Sequence, residues 1–304
     1  MGFTEVAARA VLAAAGEAAD RAELLALGEN AVFALDSGRD GSGAADRAAD
    51  GAPSGAVVRV GRGLELTERA RHELRVADWL AERGIPAVRP ARPEVELVSG
   101  HPLTFWHRLP APVRPAGPAD LAGLLRQVHA LPPPPFPLPR RELLAGVERW
   151  LRLAGDALPP GDAAYLRARR DDFAAAMAEI TPMLPPGPIH GDALPRNVHV
   201  GPDGPVLLDL ETFSDDLREH DLVVMALSRD RYGLPGEAYA EFVRAYGRDV
   251  RDWPGCAVLR GARETASCAW VAQHAPANAA ARHEFARRIT SLREQDTSTR
   301  WHAF

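Results

Sequence analysis

Ile189-His190-Gly191-Asp192-Ala193-Leu194-Pro195-Arg196-Asn197, followed by an apolar run at Val206-Leu207-Leu208 that leads into Asp209-Leu210-Glu211, is the stretch on which the fold of this chain turns. It sets three oxygen-bearing side chains, Asp192, Asn197 and Asp209, beside two short strand-like segments, with Gly191 and Pro195 shaping the loop. Moving a phosphoryl group calls for one carboxylate to orient an attacking hydroxyl and accept its proton. It also calls for oxygen ligands to hold magnesium on nucleotide phosphates. Asp192 stands five positions before Asn197 and seventeen before Asp209, so three roles have three candidates.

Upstream, the apolar segments Glu23 to Leu27 and Ala31 to Leu35 flank Gly28-Glu29-Asn30, which reads as a hairpin with a tight turn. In a nucleotide-binding lobe this turn would cover the phosphates. A short amphipathic helix is expected over 4–15, and a glycine- and serine-rich hairpin tip without periodicity over 36–55. Ala56-Val57-Val58-Arg59-Val60 reads as a strand with one charge inside an apolar run. Ala70, Leu74, Ala77 and Leu80 predict a helix over 67–83 that carries Glu73 and stops at Gly84 before Pro86. Two further strands, 95–98 and 103–106, complete a small sheet with one helix.

After Leu109 the composition shifts to proline and alanine, so 110–118 reads as a lobe crossing. Helical patterns dominate from there: one marked by Leu121, Leu124, Leu125 and Val128, then 140–154, 162–180, 219–230, 236–246, 257–274 and 279–294. The expected domains are 1–108, a nucleotide-binding lobe, and 109–304, a helical lobe with the catalytic loop and acceptor site. A chain of 304 residues, 46% hydrophobic and 25% charged, is long and apolar enough for two such bodies.

A net charge of −5 leaves no footprint for nucleic acid, and no stretch suggests a signal peptide or membrane span, so a cytoplasmic protein is expected. Cys256 and Cys268 lack metal-ligand spacing and read as free thiols. There is no lysine, so every basic side chain besides histidine is arginine.

His190-Gly191-Asp192-x4-Asn197, Leu208-Asp209-Leu210-Glu211, Glu219-His220-Asp221-Leu222, Leu27-Gly28-Glu29-Asn30-Ala31-Val32-Phe33 and Val57-Val58-Arg59-Val60 together resemble the aminoglycoside phosphotransferase and choline kinase superfamily. The resemblance covers about residues 20 to 230. It implies an α+β, bilobal, protein-kinase-like fold, with a small N-terminal antiparallel sheet lobe and a larger helical C-terminal lobe. It implies Asp192 as catalytic base or hydroxyl-orienting group, Asn197 and Asp209 as ligands to Mg2+, and ATP or GTP as phosphoryl donor. Gly28, Asn30, Arg59, Glu73, Phe105, Trp106 and His107 would serve the nucleotide, Glu73 by pairing with Arg59 and residues 105–108 as the hinge that holds the purine. His190 and Asp221 would brace the catalytic loop.

Two positions depart from the pattern. Arg59 stands where kinases usually carry lysine, and a planar fork grips phosphate differently from a point charge. The phosphate turn has one glycine, which weakens backbone cradling. Asp215, Asp216 and Glu219 read either as a solvated acidic turn or as residues receiving a cationic acceptor.

The resemblance therefore leads to an O-phosphotransferase acting on a hydroxyl of a small-molecule antibiotic of aminoglycoside, peptide or nucleoside type, and so to antibiotic resistance. A kinase of choline, homoserine or a sugar is the near alternative. A catalytically silent nucleotide-binding module and a metal-dependent phosphohydrolase are the readings from other classes.

Overall fold

A computed structural model describes residues 3–36 and 55–302. The hairpin tip expected between strands two and three thus lies mostly outside the described residues. In chain order the elements are α1 (Glu5–Ala14), β1 (Glu23–Leu27), β2 (Asn30–Asp36), β3 (Gly55–Gly61), α2 (Thr67–Glu82), β4 (Glu96–Val98) and β5 (His101–His107). Next come α3 (Pro118–His129), α4 (Val147–Ala154), α5 (Pro160–Ala178), β6 (Gly187–Ile189), β7 (Val198–Gly201), β8 (Gly204–Leu207) and β9 (Ser214–Asp216). The chain finishes with α6 (Glu219–Arg231), α7 (Gly236–Tyr246), α8 (Cys256–Ala272) and α9 (Ala279–Arg293).

These divide into two compact units, Met1–Ala116 with Arg196–Phe213, and Gly117–Pro195 with Ser214–Phe304. The first is built on a five-stranded antiparallel sheet in the order β1-β2-β3-β5-β4. Alternation along β3 buries Val58 and Val60 with Phe33, Leu103 and Phe105, and α1 adds Ala8, Val11 and Leu12 to that core. Arg59 therefore points to the opposite face, between Val32 and Thr104 of the flanking strands. On α2 the buried stripe Glu73, Val76, Ala77 and Leu80 has helical spacing, with one carboxylate among apolar side chains. The hairpin β7–β8 belongs to this unit and joins it through an isolated bridge between Ala87 and Leu207.

The second unit is helical, with a core from α4, α5, α8 and α9 that includes Val147, Leu151, Leu166, Ala269, Phe285 and Trp301. Its small sheet pairs β6 with β9 antiparallel. Two sequence expectations are corrected here. The helix expected from 140 begins at Val147, because the backbone of 139–141 is engaged by β9: Asp215 N–H donates to Pro139 O (2.9 Å), and Arg141 N–H to Asp216 Oδ2 (3.1 Å). Asp215 and Asp216, read with Glu219 either as a solvated acidic turn or as acceptor-binding residues, lie not in a turn but in a strand against 187–189, and Glu219 opens α6. Among the described residues, no helix is long and apolar enough to cross a membrane.

Candidate active site

In the first unit, β8 runs out of the core and delivers Asp209 in a left-handed backbone conformation, φ 57° and ψ 62°. That geometry is unfavourable for a non-glycine residue, and such strain gathers at functional positions. Leu208 N–H donates to Asn197 O (2.9 Å), so the two ends of the β7–β8 hairpin are tied where Asn197 enters and Asp209 leaves. The Asp209 Oδ1 atom is buried with no hydrogen-bond partner. A buried carboxylate oxygen without a donor is costly unless a cation completes it. Asn197 is itself buried beside the other end of the hairpin. These two oxygen donors fit a magnesium ion, which takes few protein ligands and completes its shell with water and phosphate oxygens. Among the described residues there is no group of three or more His, Cys, Asp or Glu placed to hold a metal.

Arg59 Nη1 donates to both oxygens of Glu73, at 2.5 and 2.6 Å, and Nη2 reaches Glu211 Oε2 at 3.4 Å. Burial works against the Arg59 charge, and the carboxylates of Glu73, Glu211 and Asp209 outweigh it, so its pKa is raised. Burial pushes the Glu73 carboxyl up, and the Arg59 charge opposes this. Glu211 is pushed up to about 6, first by burial and then by the charge of Asp209, against the pull of Arg69 and Arg59. Arg69 of α2 bonds Glu211 Oε1 through Nη2 and Glu29 Oε2 through Nη1 (2.8 Å).

The β1–β2 turn is not a glycine cradle. Gly28 has no left-handed backbone, and a Cβ placed on it meets open space. Asn30 lines a cavity of about 20 Å³ with Arg59, Arg69, Glu73, Thr104 and Glu211. At the other end of β5, Phe105 O accepts from Ala91 N–H (2.8 Å), and His107 N–H donates to Arg89 O (2.9 Å). Trp106 is buried and its Nε1–H donates to Thr104 Oγ1 (2.9 Å). A purine held by this backbone must share or displace those bonds.

In the second unit, the loop after β6 turns at Gly191, φ 85°, a conformation that costs glycine nothing. Asp221, fully buried near the start of α6, accepts from His190 N–H (2.7 Å) and Gly191 N–H (2.8 Å). His129 Nε2 stands 3.1 Å from the same carboxylate, and His129 Nδ1 is 2.8 Å from Tyr246 Oη. Burial alone would raise the Asp221 pKa, but the bond and charge of His129 and the contribution of His190 outweigh it and lower it to about 2. Asp192 N–H donates to His190 Nδ1 (3.3 Å), which assigns His190 the tautomer protonated at Nε2.

Asp192 is half-buried. Behind its loop, Arg263 Nη2 donates to His220 O (2.9 Å) and Gly191 O (3.4 Å). Burial and the nearby Arg141 bring Arg263 down to about 10, against the charges of Asp192 and Asp221. Glu219 is buried, and its Oε1 accepts from Met183 N–H (2.5 Å) and Leu184 N–H (2.7 Å). Asp216 accepts from Leu217 N–H (2.8 Å) and Arg141 N–H (3.1 Å), while Asp215 is half-buried in β9.

Sequence reasoning did not single out Arg69, Glu211, His129 or Arg263. Glu211 carried a signal, two positions after Asp209 in a motif already quoted. The other three lie on helices and outside the quoted motifs.

The profile of the phosphotransferase enzyme family matches residues 37–259, well over half of the chain. A search among curated protein sequences finds no match. Among solved structures, amicoumacin kinase hAmiN in complex with AMP-PNP, Ca2+ and Ami is similar at TM-score 0.69, with 15% identity over 97% of each chain. A choline/ethanolamine kinase family protein from Mesorhizobium loti follows at 0.62, 20% identical over 96% of this chain and 95% of that one. An aminoglycoside phosphotransferase from Streptomyces rimosus in complex with ADP and streptomycin gives 0.56, 19% identical over 86% of this chain and 99% of its own. At such identities the likeness establishes the fold, a protein-kinase-like one with an N-terminal five-stranded antiparallel sheet and a mostly helical C-terminal region. With the profile match across the catalytic motifs, the chain belongs to the phosphotransferase enzyme family.

Proposed function

We propose that this protein is a nucleotide-dependent O-phosphotransferase that phosphorylates a hydroxyl of a small-molecule antibiotic and thereby inactivates it. The observation that carries the phosphotransferase reading is the buried, unpartnered Oδ1 of Asp209 at the end of a hairpin whose other end is Asn197. These two residues would hold Mg2+, which when bound neutralises phosphate charge. Arg59, fixed by Glu73, would meet the phosphates of ATP or GTP. Asp192 would orient the acceptor hydroxyl and take its proton. The oxygen then forms the new O–P bond as the bridging bond to the γ-phosphorus breaks, and the nucleoside diphosphate leaves with that electron pair. The functional division would place nucleotide binding in 1–108 and the catalytic loop and acceptor site in 109–304.

The similar structures support the donor class, two of them holding AMP-PNP or ADP, and two of them being enzymes named for antibiotics. The choline/ethanolamine kinase family protein has comparable structural similarity, and it favours a metabolite hydroxyl as the second reading. The Arg59–Glu73 pair speaks against a catalytically silent module, because the basic strand residue is held by its helix partner despite being arginine. The test is a mass-shift screen of hydroxylated antibiotics, choline, homoserine and sugars with magnesium and each nucleotide. One added phosphoryl group on an antibiotic, lost in Asp192→Ala, is the expected result. A product restricted to metabolites transfers the assignment to the second reading. Nucleotide binding with no product anywhere refutes both.

A further inference from the structure

The two carboxylates Glu29 and Glu211 pose a problem for a nucleotide site. Glu29 sits at the apex of the turn expected over the phosphates, and Glu211 lies two residues past the candidate metal ligand Asp209. Both charges oppose a nucleoside triphosphate, and the turn between β1 and β2 offers no glycine cradle to offset them. One side chain answers both. Arg69 lies on α2 one turn before Glu73, so the two share a helix face. Its Nη1 donates to Glu29 Oε2 at 2.8 Å and its Nη2 to Glu211 Oε1. Glu211 in turn takes Arg59 Nη2 on its other oxygen. The chain Glu29–Arg69–Glu211–Arg59–Glu73 thus runs unbroken from the turn to the buried helix carboxylate, along a small cavity that Arg59, Arg69, Glu73 and Glu211 line together.

Arg62 reaches the second oxygen of Glu29 at 3.6 Å, but it is itself exposed and shared with Glu65. Arg71, by contrast, pairs with Glu68, three positions before it, on the exposed side of the helix. The backbone bonds of the turn, Gly28 N–H to Asn30 O at 2.9 Å and Arg62 N–H to Glu29 O at 3.2 Å, stay within the hairpin and the end of β3, and the side-chain clasp reaches it from α2.

We propose that Arg69 is a positioning residue for the nucleotide: by clasping Glu29 to Glu211 it holds the β1–β2 turn in place and cancels two carboxylates that would repel a nucleoside triphosphate. Arginine suits the task because its fork serves two carboxylates at once, which an ammonium does with less geometric control. The inference rests on the phosphotransferase reading, since it presumes that a nucleotide binds beside Arg59.

The experiment measures dissociation constants for ATP and GTP with magnesium by calorimetry on the full chain. Arg69→Met is expected to weaken the nucleotide that wild type binds by about tenfold, while Arg71→Met, the same loss of charge on the same helix, leaves it unchanged. Glu29→Gln placed on Arg69→Met should recover most of the loss, because it removes the exposed repulsion, whereas a merely structural role for Arg69 predicts no recovery. Should Arg69→Met fail to fold, Arg69→Lys keeps the charge and loses the fork, and an intermediate affinity is expected. Equal affinity of wild type and the Arg69 variant, or an equal loss in Arg71→Met, overturns the inference alone. A wild-type chain that binds neither nucleotide overturns the phosphotransferase reading and this inference with it.

Discussion

Replacing Asp221 tests how the catalytic loop is held. Its carboxylate is fully buried and accepts two backbone N–H groups, from His190 at 2.7 Å and Gly191 at 2.8 Å, with His129 Nε2 at 3.1 Å. The carboxamide introduced by Asp221→Asn would keep one acceptor oxygen and turn an NH2 group toward the second N–H. At least one buried donor is then stranded, at a cost of about 1–3 kcal/mol, and Asp221→Ala strands both, for roughly twice that. The depressed pKa gives an independent figure. A shift from 3.8 to about 2 corresponds to about 2 kcal/mol of stability. Because the folded value lies below the unfolded one, that stability is present above the unfolded pKa and is lost as pH falls toward about 2.

Urea denaturation at neutral pH, repeated at decreasing pH, reads both quantities. The wild type should lose stability over that acid window, and the Asp221→Asn variant should start lower and fall less steeply. Activity gives the functional half. Misplacing a catalytic group by about 1 Å costs on the order of a hundredfold, so kcat should fall by about that factor. Nucleotide affinity, carried by other residues, should hold. Unchanged stability together with activity within about twofold of wild type would refute the bracing role.

Three further outcomes follow from the same geometry. Asp209→Asn should abolish magnesium-dependent phosphorylation while changing stability in urea by less than about 1 kcal/mol, since the buried Oδ1 has no hydrogen bond to lose and asparagine tolerates the left-handed backbone. Arg59→Met should cost about 3–5 kcal/mol by leaving Glu73 buried without its partner, and Arg59→Lys about 1–2 kcal/mol; equal melting temperatures for the two would contradict the two-point grip seen here. Trp301→Ala should cost about 3–5 kcal/mol, because the buried ring packs against the guanidinium groups of Arg231 and Arg288, 4.7 and 4.9 Å from its centroid, and its Nε1–H donates to Ser291 Oγ; thermal unfolding reads the loss.

Local patterns carried most of the architecture. The β1–β2 hairpin, α2, the loop at 189–197 and the helices α6 to α9 were legible because apolar periodicity and glycine or proline punctuation act within a few residues. The strand at 214–216 and the late start of α4 were not, since the first exists by pairing with 187–189 and the second through hydrogen bonds between 139–141 and 215–216, segments distant in sequence.

By itself the amino-acid order around His190 to Glu211 pointed to the phosphotransferase family and singled out its candidate carboxylates, Asp192 and Asp209, because a metal ligand and a base call for particular residue types at short spacing. Only the tertiary structure decided how those groups are charged and held. Arg69 meets Glu211 across 142 positions of sequence, and His129 meets Asp221 across 92. No local pattern encodes such a meeting; the packing of distant elements brings these charges together, so that His129 helps lower Asp221 to about 2, while burial and the nearby Asp209 hold Glu211 near 6 against the pull of Arg69.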